Sequence, residues 1–473
     1  MPDRRMFSKQ ALAVLSIPWL STTPGGQRAE AQAVDGVTWQ SNAFGAYSYN
    51  TDQQLRSTAI AHTITEAGVQ QVIEGLRGAR SPFAIRSSGH CFAGLSQNAG
   101  TVIDLAGMNT VRFGQNDRII AQPAARLGDV YALTGPRQRV LPAGFCQNVA
   151  LGGHVTGGAI GPYSRAFGLG CDAMRRARIV LANGEVVEAS AQDNPDLFWA
   201  LRGGGAANFG VLTEAEFESF QTGEVSVLRY YWEDSPQAVA TVIEQWQRRA
   251  PSLPRRMGSM MFIRALGRDI VQARGYLVSF DTQERARQAA LDFYDIARPS
   301  IDPRIAIGNP DQIAENIWPR SYNPSEPRKV ISTFQTAPTP AANWRILLDR
   351  LKDDPAWPVS VNLDLMGGAI DDVAPDATGF PHRGVATMTA QFDVVLDPDQ
   401  PRAPQVTRLA DLAQLVADQA AEGRAYLNYA DRDLTDYANA YWGQNLERLQ
   451  RIKAEYDPLN LFRGPQSIPP IDL

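Results

Sequence analysis

The stretch that decides the fold is "GFCQNVALGGHVTGGAIGPYSRAFGLG", Gly144 to Gly170, which is dense in glycine. Glycines let backbone N–H groups approach an anion or a flat ring without interference from a Cβ atom. A dinucleotide-binding fingerprint would need G-x-G-x-x-G between a strand and a helix, with an acidic residue about twenty positions later. No convincing helix follows this stretch, so we reject that interpretation.

Upstream of the glycine-rich stretch, "RSSGHCFAGLSQ" (86–97) follows the apolar run "PFAI" and holds His90 next to Cys91. Together with Cys146 and His154 these side chains are zinc ligand types. Neither C-x-x-C nor H-x-x-x-H is present, and neighbouring residues on extended backbone point in divergent directions. A cysteine protease built from Cys146 and His154 lacks the usual nucleophile context. The pattern therefore predicts neither a metal site nor a cysteine protease.

The bulk composition is that of a soluble globular protein, with 44% hydrophobic and 20% charged residues among 473. This length exceeds one ordinary core and predicts two or more packed units. The formal net charge of −5 means that the chain has no excess of basic residues, which argues against nucleic acid as a partner. No apolar run approaches the length of a transmembrane helix, so we expect no membrane span.

Residues 1–33 have the layout of an export signal. Arg4-Arg5 precede a modest apolar run, and Ala31-Gln32-Ala33 forms an A-x-A-type cleavage site. The paired arginines favour the twin-arginine route, which predicts a periplasmic or secreted protein. This route carries folded proteins and suits a passenger that acquires a bulky cofactor first. The three cysteines leave at least one thiol free, intermolecular or chemically committed.

The hydrophobic pattern predicts an α+β chain with two units. The segment 58–80 predicts a strand and then a helix, with apolar residues at helical spacing. Asn183-Gly184 predicts a β-hairpin turn, and a short helix is expected between Asn194-Pro195 and the glycines 203–205. From about Gln221 onward, longer strands and helices indicate a second unit. The segment from Tyr437 to Asp457 is typical of a helix.

Several blocks in a fixed order resemble one enzyme group. The chain is similar to the berberine bridge enzyme-like flavin oxidases of the vanillyl-alcohol oxidase/p-cresol methylhydroxylase superfamily. Ser88 stands where the family's R-S-G-G-H loop has a glycine. The blocks that carry the resemblance are "PFAIRSSGHCFAGLS", "GFCQNVALGGHVTGGAIGPYSRAFGLGCD", "NPDLFWALRGGGAANFGVLTEAEF", "FPHRG" and "AYLNYADRDL…YWGQNLERLQRIKAEYDPLNLFRGPQSIP".

The resemblance implies a p-cresol methylhydroxylase-type FAD-binding domain made of two α+β subdomains. It also implies a substrate domain with an antiparallel sheet flanked by helices. We expect two segments to form the FAD domain: residues 35–222 and a C-terminal segment, residues 423–473. The substrate domain would lie between them, at residues 223–422.

The resemblance also implies how FAD is held. His90 is expected to bond to the flavin 8α-methyl group and Cys146 to flavin C6, giving a bicovalent cofactor. His154 would stabilise negative charge at N1/C2 of the reduced flavin. Val149 occupies a position where a small residue admits oxygen and leucine excludes it, and valine favours an oxidase. The remaining expected FAD contacts are Arg86, Ser87, Ser88 and Gly89 at the pyrophosphate, and Gly152, Gly153, Gly157, Gly158 and Asn428 around the ring.

Tyr429 matches the tyrosine that serves as base in alcohol- and sugar-oxidising members of the family. A phenol has an ordinary pKa of about 10, so it needs a charged or polar neighbour to act as a base. Asp364 and Gln391 are the candidates for that neighbour, although the alternating "VNLDLM" pattern also fits a solvent-facing Asp364. We expect Cys91 and Cys171 to be structural, and His62 and His382 to pack or cap.

These residues predict oxidation of a small-molecule alcohol or hemiacetal, with O2 reduced to hydrogen peroxide. Three alternatives stay open: a dehydrogenase of the same fold with another electron acceptor, a biosynthetic oxidase that performs an oxidative cyclisation, and a flavin-binding protein without turnover. The central domain offers no motif that identifies the substrate.

Overall fold

The computed structural model describes residues 36–44, 47–267, 270–296, 298–353, 357–417 and 423–471. The predicted export signal, residues 1–33, lies outside the described residues and stays a prediction. Helices and strands are mixed throughout the described chain, which confirms the α+β class. In the described residues, no helix is both long enough and apolar enough to cross a bilayer.

The first sheet has four strands and carries the loop that begins at Arg86. Two of its strand pairs are parallel and one is antiparallel. Helix Glu66–Ala79 begins at Thr65, whose hydroxyl accepts a hydrogen bond from the Gly68 N–H at 3.0 Å. The buried face of this helix carries the predicted residues Val69, Val72, Ile73 and Leu76. In spatial order the strands are Val37–Phe44, Arg56–Thr63, Thr101–Asp104 and Phe83–Arg86.

The second sheet has five antiparallel strands and contains the predicted hairpin at Asn183-Gly184. Helix Pro195–Leu201 follows it and ends just before the glycines 203–205, as expected. In spatial order its strands are Val111–Phe113, Ile119–Ala121, Val211–Phe217, Met174–Val180 and Val186–Ser190. A further pair of short strands, Arg139–Val140 and Phe220–Gln221, lies apart from this sheet.

The third sheet has seven antiparallel strands and includes residues 225–395. In spatial order they are Ile301–Gly308, Val225–Asp234, Val271–Ser279, Met257–Ala265, Val359–Leu365, Met388–Val395 and Arg328–Gln335. One face packs against the helices Pro236–Arg249, Gln283–Tyr294, Ala341–Lys352 and Arg402–Ala417.

Alternation along strand Val359–Leu365 decides what the other face carries. Val361 and Leu363 are fully buried in the core shared with the helices. Because side chains alternate along a strand, Asn362 and Asp364 project from the opposite face. Asp364 therefore points away from the helical layer, toward the first unit of the chain.

The C-terminal segment forms two helices, Tyr437–Trp442 and Leu446–Tyr456. The single continuous helix expected from Tyr437 to Asp457 is wrong, because Gly443 adopts φ 45° between the two. Other short helices are Leu127–Thr134, Leu151–Thr156, Ser164–Phe167 and Pro310–Ile317. Single 3-10 turns occur at Thr51–Gln53, Gln115–Asp117, Gly135–Arg137, Ala206–Asn208, Ala250–Ser252, Gly368–Asp372, Leu427–Tyr429 and Gly443–Asn445.

Lys453 fixes this segment to the first unit. Its ammonium is fully buried and pairs with the buried Asp457 carboxylate at 2.5 Å. It also donates to the carbonyl oxygens of Asn208 at 2.7 Å and Phe462 at 2.6 Å. The C-terminal segment is thus held by a cation whose donors are all satisfied inside the protein.

Candidate active site

The loop from Arg86 to His90 leaves the end of a buried strand. The Arg86 guanidinium pairs with the Asp104 carboxylate at 2.8 Å, and His62 Nδ1 lies 2.8 Å from the same carboxylate oxygen. His62 therefore helps to hold a structural ion pair. The Nη1 atom of Arg86 is buried and has no partner among the described residues.

Ser88 and Gly89 fix the path of this loop. Ser88 Oγ accepts a hydrogen bond from the Ala150 N–H at 3.0 Å, which joins the loop to the glycine-rich stretch. Gly89 has φ +77°, and a Cβ atom there would lie 2.4 Å from the Tyr47 carbonyl oxygen. The N–H groups of Ser88, Gly89 and His90 have no acceptor among the described residues. The loop therefore offers a run of donors to an anion.

His90 is enclosed by two tyrosines. Its ring stacks on Tyr49 with centroids 4.9 Å apart and lies 5.5 Å from the Tyr47 ring. Burial, and then the positive charge of Arg126, lowers the pKa of His90 to about 4, although a hydrogen bond to Asn323 opposes this. The imidazole is therefore neutral at neutral pH and retains a nitrogen lone pair.

Cys146 lies within electrostatic reach of the two tyrosines that flank His90. Burial raises the pKa of its thiol to about 11, so it is protonated at neutral pH. Burial first, and the charge of a Cys146 thiolate among the lesser causes, raises the pKa values of Tyr47, Tyr49 and Tyr429. The sulfur is thus within electrostatic reach of all three phenols, two of which flank His90.

The other two cysteines are structural, as expected. All three thiols are free, so Cys91 and Cys171 form no disulfide. Cys91 packs, partly buried, against the hydrophobic core. Cys171 is buried and lies 3.8 Å from Arg383 Nη2. His382 likewise packs, with Nε2 3.0 Å from the Tyr441 carbonyl oxygen.

The glycines expected around the ring differ in surroundings. A Cβ atom at Gly157 would lie 2.0 Å from Asn428 Oδ1, and one at Gly158 would lie 2.9 Å from the Phe380 ring. A Cβ atom at Gly152 would lie 3.1 Å from Ser87 Oγ and closer still to Pro123. These three positions lack side chains because protein groups fill the space. Gly153 alone of the four faces open space, so a flat ring has access to its backbone.

His154 projects from helix Leu151–Thr156, which lies inside the glycine-rich stretch. Its Nε2 accepts a hydrogen bond from the Gly144 N–H at 3.0 Å, and burial lowers its pKa to about 4. The neutral ring therefore carries its hydrogen on Nδ1, which has no acceptor among the described residues. Asn428 donates to the His154 carbonyl oxygen at 2.8 Å and to Tyr426 Oη at 2.8 Å. The structure thus brings two predicted ring contacts together.

The Asp364 carboxyl group lies close enough to Tyr429 to shift its pKa, and its Oδ2 lies 3.4 Å from Thr389 Oγ1. Burial raises the pKa of Asp364 to about 6. Burial and then the Asp364 charge raise the pKa of Tyr429 well above its ordinary value. The expectation that Asp364 helps Tyr429 by lowering the phenol pKa is therefore wrong. A neighbouring carboxylate raises that pKa, because its negative charge opposes formation of a phenolate. The Asp364 carboxylate, as a neighbour of the phenol, can instead accept the phenol proton.

Gln391, the second candidate neighbour, is not bonded to Tyr429. Its Oε1 accepts a hydrogen bond from Asn362 Nδ2 at 3.2 Å, on the same face of the sheet as Asp364. Gln391 therefore shares the face of Asp364 without contacting the phenol that it was expected to activate. Val149 lies three residues from Cys146, to whose carbonyl oxygen its N–H donates at 3.1 Å.

The sequence reasoning missed the groups that enclose His90. Tyr47 Oη donates to Asn323 Oδ1 at 2.8 Å and to the Pro324 carbonyl oxygen at 2.9 Å. The alternation "YSYN" at residues 47–50 is a signal that could have found Tyr47 and Tyr49, because residues two apart on extended backbone share a face. No comparable signal marks Asn323. Among the described residues, no group of three or more metal-ligand side chains could hold a metal ion.

Comparison with known proteins explains this constellation. The family model described as "FAD binding domain" matches residues 58–190, and the model described as "Berberine and berberine like" matches residues 425–469. The chain is an FAD-linked oxidoreductase that resembles the berberine bridge enzyme-like family. Both matches contain residues of the site just described, the first with His90 and Cys146 and the second with Tyr429.

Relatives of known name cover most of the chain. Chitooligosaccharide oxidase of Gibberella zeae is 28% identical over 453 residues, or 89% of this chain and 89% of that protein. Berberine bridge enzyme-like 26 of Arabidopsis thaliana is 28% identical over 451 residues, or 86% of this chain and 83% of that protein.

Solved structures give the same result for the fold. A chitooligosaccharide oxidase matches with a TM-score of 0.81 at 25% identity, over 90% of this chain and 94% of that chain. Physcomitrella patens BBE-like 1 matches with a TM-score of 0.83 at 24% identity, over 93% of this chain and 98% of that chain. The expected p-cresol methylhydroxylase-type architecture is therefore confirmed.

The described residues of this berberine bridge enzyme-like protein fit FAD. Unpartnered N–H groups at Ser88–His90 suit the pyrophosphate, and the open space at Gly153 suits a flat ring. The unpartnered Nδ1–H of His154 suits an electron-rich ring edge. His90 and Cys146 both lie within the residues that the FAD-domain model matches.

Proposed function

We propose that this protein is an exported oxidase that carries FAD on both His90 and Cys146. It would oxidise an alcohol or hemiacetal of a small molecule and release hydrogen peroxide. The observation that carries the proposal is the neighbouring pair of Tyr429 and Asp364, whose charges and protons influence each other, within electrostatic reach of Cys146. One relative is named an oxidase of chitooligosaccharides, which supports oxidation of a sugar-like hydroxyl group.

The pair moves one proton in this reaction. Asp364, with a pKa of about 6, is a carboxylate at neutral pH, while the raised pKa of Tyr429 keeps the phenol protonated. Tyr429 Oη takes the substrate hydroxyl proton as its own proton passes to Asp364. The phenol is then restored and the proton is left on the carboxyl group. A phenolate never needs to form in a buried site where burial penalises its charge.

Several residues would prepare the site for the cofactor. FAD, when bound, accepts a hydride from the substrate carbon and returns the two electrons to O2. His154 would donate its Nδ1–H to the ring edge, and Asn428 holds the His154 backbone in place. Val149 sets the room available beside Cys146, and its moderate size is consistent with access for O2. The neutral His90 imidazole is competent as a nucleophile without prior deprotonation.

Export supports the same picture. The Arg4-Arg5 pair precedes an apolar run and an A-x-A site in residues 1–33. A cofactor held by two side chains from separate segments requires a folded chain. The twin-arginine route accepts such a folded, loaded protein.

The test is anaerobic stopped-flow reduction of the loaded enzyme with a substrate found by a peroxide screen. Tyr429→Phe is expected to slow flavin bleaching by about 10²–10⁴-fold. Tyr437→Phe is the matched control, because it removes a hydroxyl whose partner, the Ser467 carbonyl oxygen, is remote from Asp364 along the chain. Equal bleaching by wild type and Tyr429→Phe would refute the base. Reduced enzyme that stays reduced in air would refute the oxidase.

A further inference from the structure

Arginine side chains share a sheet face with Asp364. Residues directly opposite each other on neighbouring strands project from the same face. Tyr276 stands opposite Met260, and Met260 stands opposite Asp364. Arg229 stands opposite Tyr276 on the next strand, so Arg229 lies on the face of Asp364.

Two more arginines lie on this face. Arg274 is two residues from Tyr276 along its strand and stands opposite Phe262. Arg264 is two residues beyond Phe262. Since residues two apart on a strand share a face, Arg264 and Arg274 also project toward the side of Asp364.

None of the three has a carboxylate partner among the described residues. Arg229 donates to the Asn316 carbonyl oxygen at 2.7 Å, and Arg264 Nε donates to Gln272 Oε1 at 3.0 Å. Glu233, a carboxylate on the same face, accepts instead from Gln272 Nε2 at 2.6 Å. This arrangement leaves positive charge on the face that is not neutralised.

Arg274 is the least satisfied of the three. It makes no hydrogen bond or ion pair with any described residue, and its Nε atom is buried without a partner. Its guanidinium lies 5.0 Å from the centre of the Phe262 ring and 5.4 Å from the Tyr276 ring. The guanidinium thus lies against two aromatic rings with its terminal nitrogens available to a ligand.

A chain of ring contacts links this guanidinium to the loop of Cys146. The Phe262 ring lies 6.1 Å from the ring of Phe145, the neighbour of Cys146. The strand of Arg274 is two strands from that of Asp364, about 10 Å across the sheet. A molecule of one or two rings spans this distance. Asn362, on the strand of Asp364, also has a buried, unpartnered Oδ1 on this face.

We propose that the substrate carries a carboxylate, which pairs with Arg274 while the hydroxyl to be oxidised meets Tyr429 at the other end. This inference rests on the proposed function, which supplies the reacting end. Phe262 and Tyr276 hold the planar guanidinium in position for a bidentate pair. Asn362 lies between the two ends of the substrate, where its unpartnered Oδ1 can accept a hydrogen bond.

The test compares acids with their methyl esters, which differ in charge and little in shape. The probes are digalacturonate with its dimethyl ester, and 4-(hydroxymethyl)benzoate with its methyl ester. For at least one pair, wild-type enzyme is expected to show a KM for the acid about tenfold or more below that for the ester. Arg274→Gln should raise the KM of that acid to the level of its ester with kcat within about twofold, and Arg274→Lys should recover part of the preference.

Arg287→Gln is the control, because it removes an equal charge from an exposed residue of the helix Gln283–Tyr294 on the opposite face. It should leave both members of each pair unchanged. Esters oxidised as well as acids by the wild type would overturn the inference and leave the oxidase standing. An Arg274→Gln that weakens acid and ester equally would also overturn it.

A binding measurement separates the two proposals. Benzoate and methyl benzoate, which have no carbinol group, are titrated by calorimetry into the loaded wild type and Arg274→Gln, together with the four probes. Tighter binding of the acids, lost in Arg274→Gln, supports the inference even if turnover is absent, which would refute only the proposed function. Equal binding of acids and esters across all pairs refutes the inference whatever the turnover.

Discussion

Replacing Asp364 with asparagine should make the protein more stable and less active at the same time. Burial raises the pKa of Asp364 from 3.8 to about 6. A carboxyl group whose pKa is higher in the folded than in the unfolded state holds its proton longer when folded. Its contribution to stability is therefore present below the unfolded pKa and is lost as pH rises from about 4 to 6.

The size of this effect follows from the two pKa values. A difference of about two pH units corresponds to about 3 kcal/mol of folding free energy at neutral pH. Asparagine has nearly the same shape and carries no charge to desolvate. At pH 7.5, the free energy of unfolding of Asp364→Asn is thus expected to exceed that of wild type by up to about 3 kcal/mol. At pH 4 the two proteins should be nearly equal, because the native carboxyl group is then protonated.

The loss of activity has the opposite origin. Asparagine cannot accept the phenol proton of Tyr429, so the rate of anaerobic flavin reduction should fall by about 10²-fold or more. In wild type this rate should fall about tenfold per pH unit below pH 6, since the carboxylate disappears there. In Asp364→Asn the rate of flavin reduction should not change with pH below pH 6.

The measurements are stopped-flow reduction from pH 4.5 to 8 and equilibrium unfolding at pH 4 and 7.5. Asp399→Asn is the matched control. Asp399 lies exposed in a loop, so this substitution makes the same chemical change outside the site. A variant clearly less stable than wild type at pH 7.5, or one whose rate of flavin reduction still falls below pH 6, would refute the argument from burial.

His90→Ala and Cys146→Ala should each leave one covalent tether and the double variant none, read as yellow colour in the acid precipitate or in the supernatant. Val149→Leu should slow reoxidation by O2 and leave anaerobic reduction within about twofold of wild type; equal oxygen rates would contradict its role in access. Lys453→Met should destabilise the protein by about 3–5 kcal/mol, because it strands the buried Asp457 carboxylate. A change below about 1 kcal/mol in denaturant unfolding would contradict this.

The sequence predicted the local elements well, for a physical reason. The helix Glu66–Ala79 and the hairpin at Asn183-Gly184 depend on periodicity and turn chemistry that neighbouring residues specify. The break at Gly443 was missed, because a glycine inside an apolar helical pattern does not by itself reveal a left-handed backbone.

The candidate site was predicted through matching motifs rather than through geometry. The pairing of Tyr429 with Asp364 joins two segments whose register is set by the packing of a seven-stranded sheet on the first unit. No local pattern encodes that approach, nor the sign of the effect of Asp364 on the pKa of Tyr429. The unpaired state of Arg274 is equally invisible in sequence, because it depends on which carboxylates fail to reach it.

The contacts around His90 have a consequence for how the enzyme is assembled. Tyr47 and Asn323, which both hold the imidazole, are 276 positions apart in the chain, and Ser325 donates to the Ser48 carbonyl oxygen beside them. With the flavin attached at His90 as proposed, its binding site is complete only after the central unit has packed against the N-terminal one. The flavin content of a purified batch is then expected to report this long-range assembly of the chain, with colourless molecules being those whose two units have not come together.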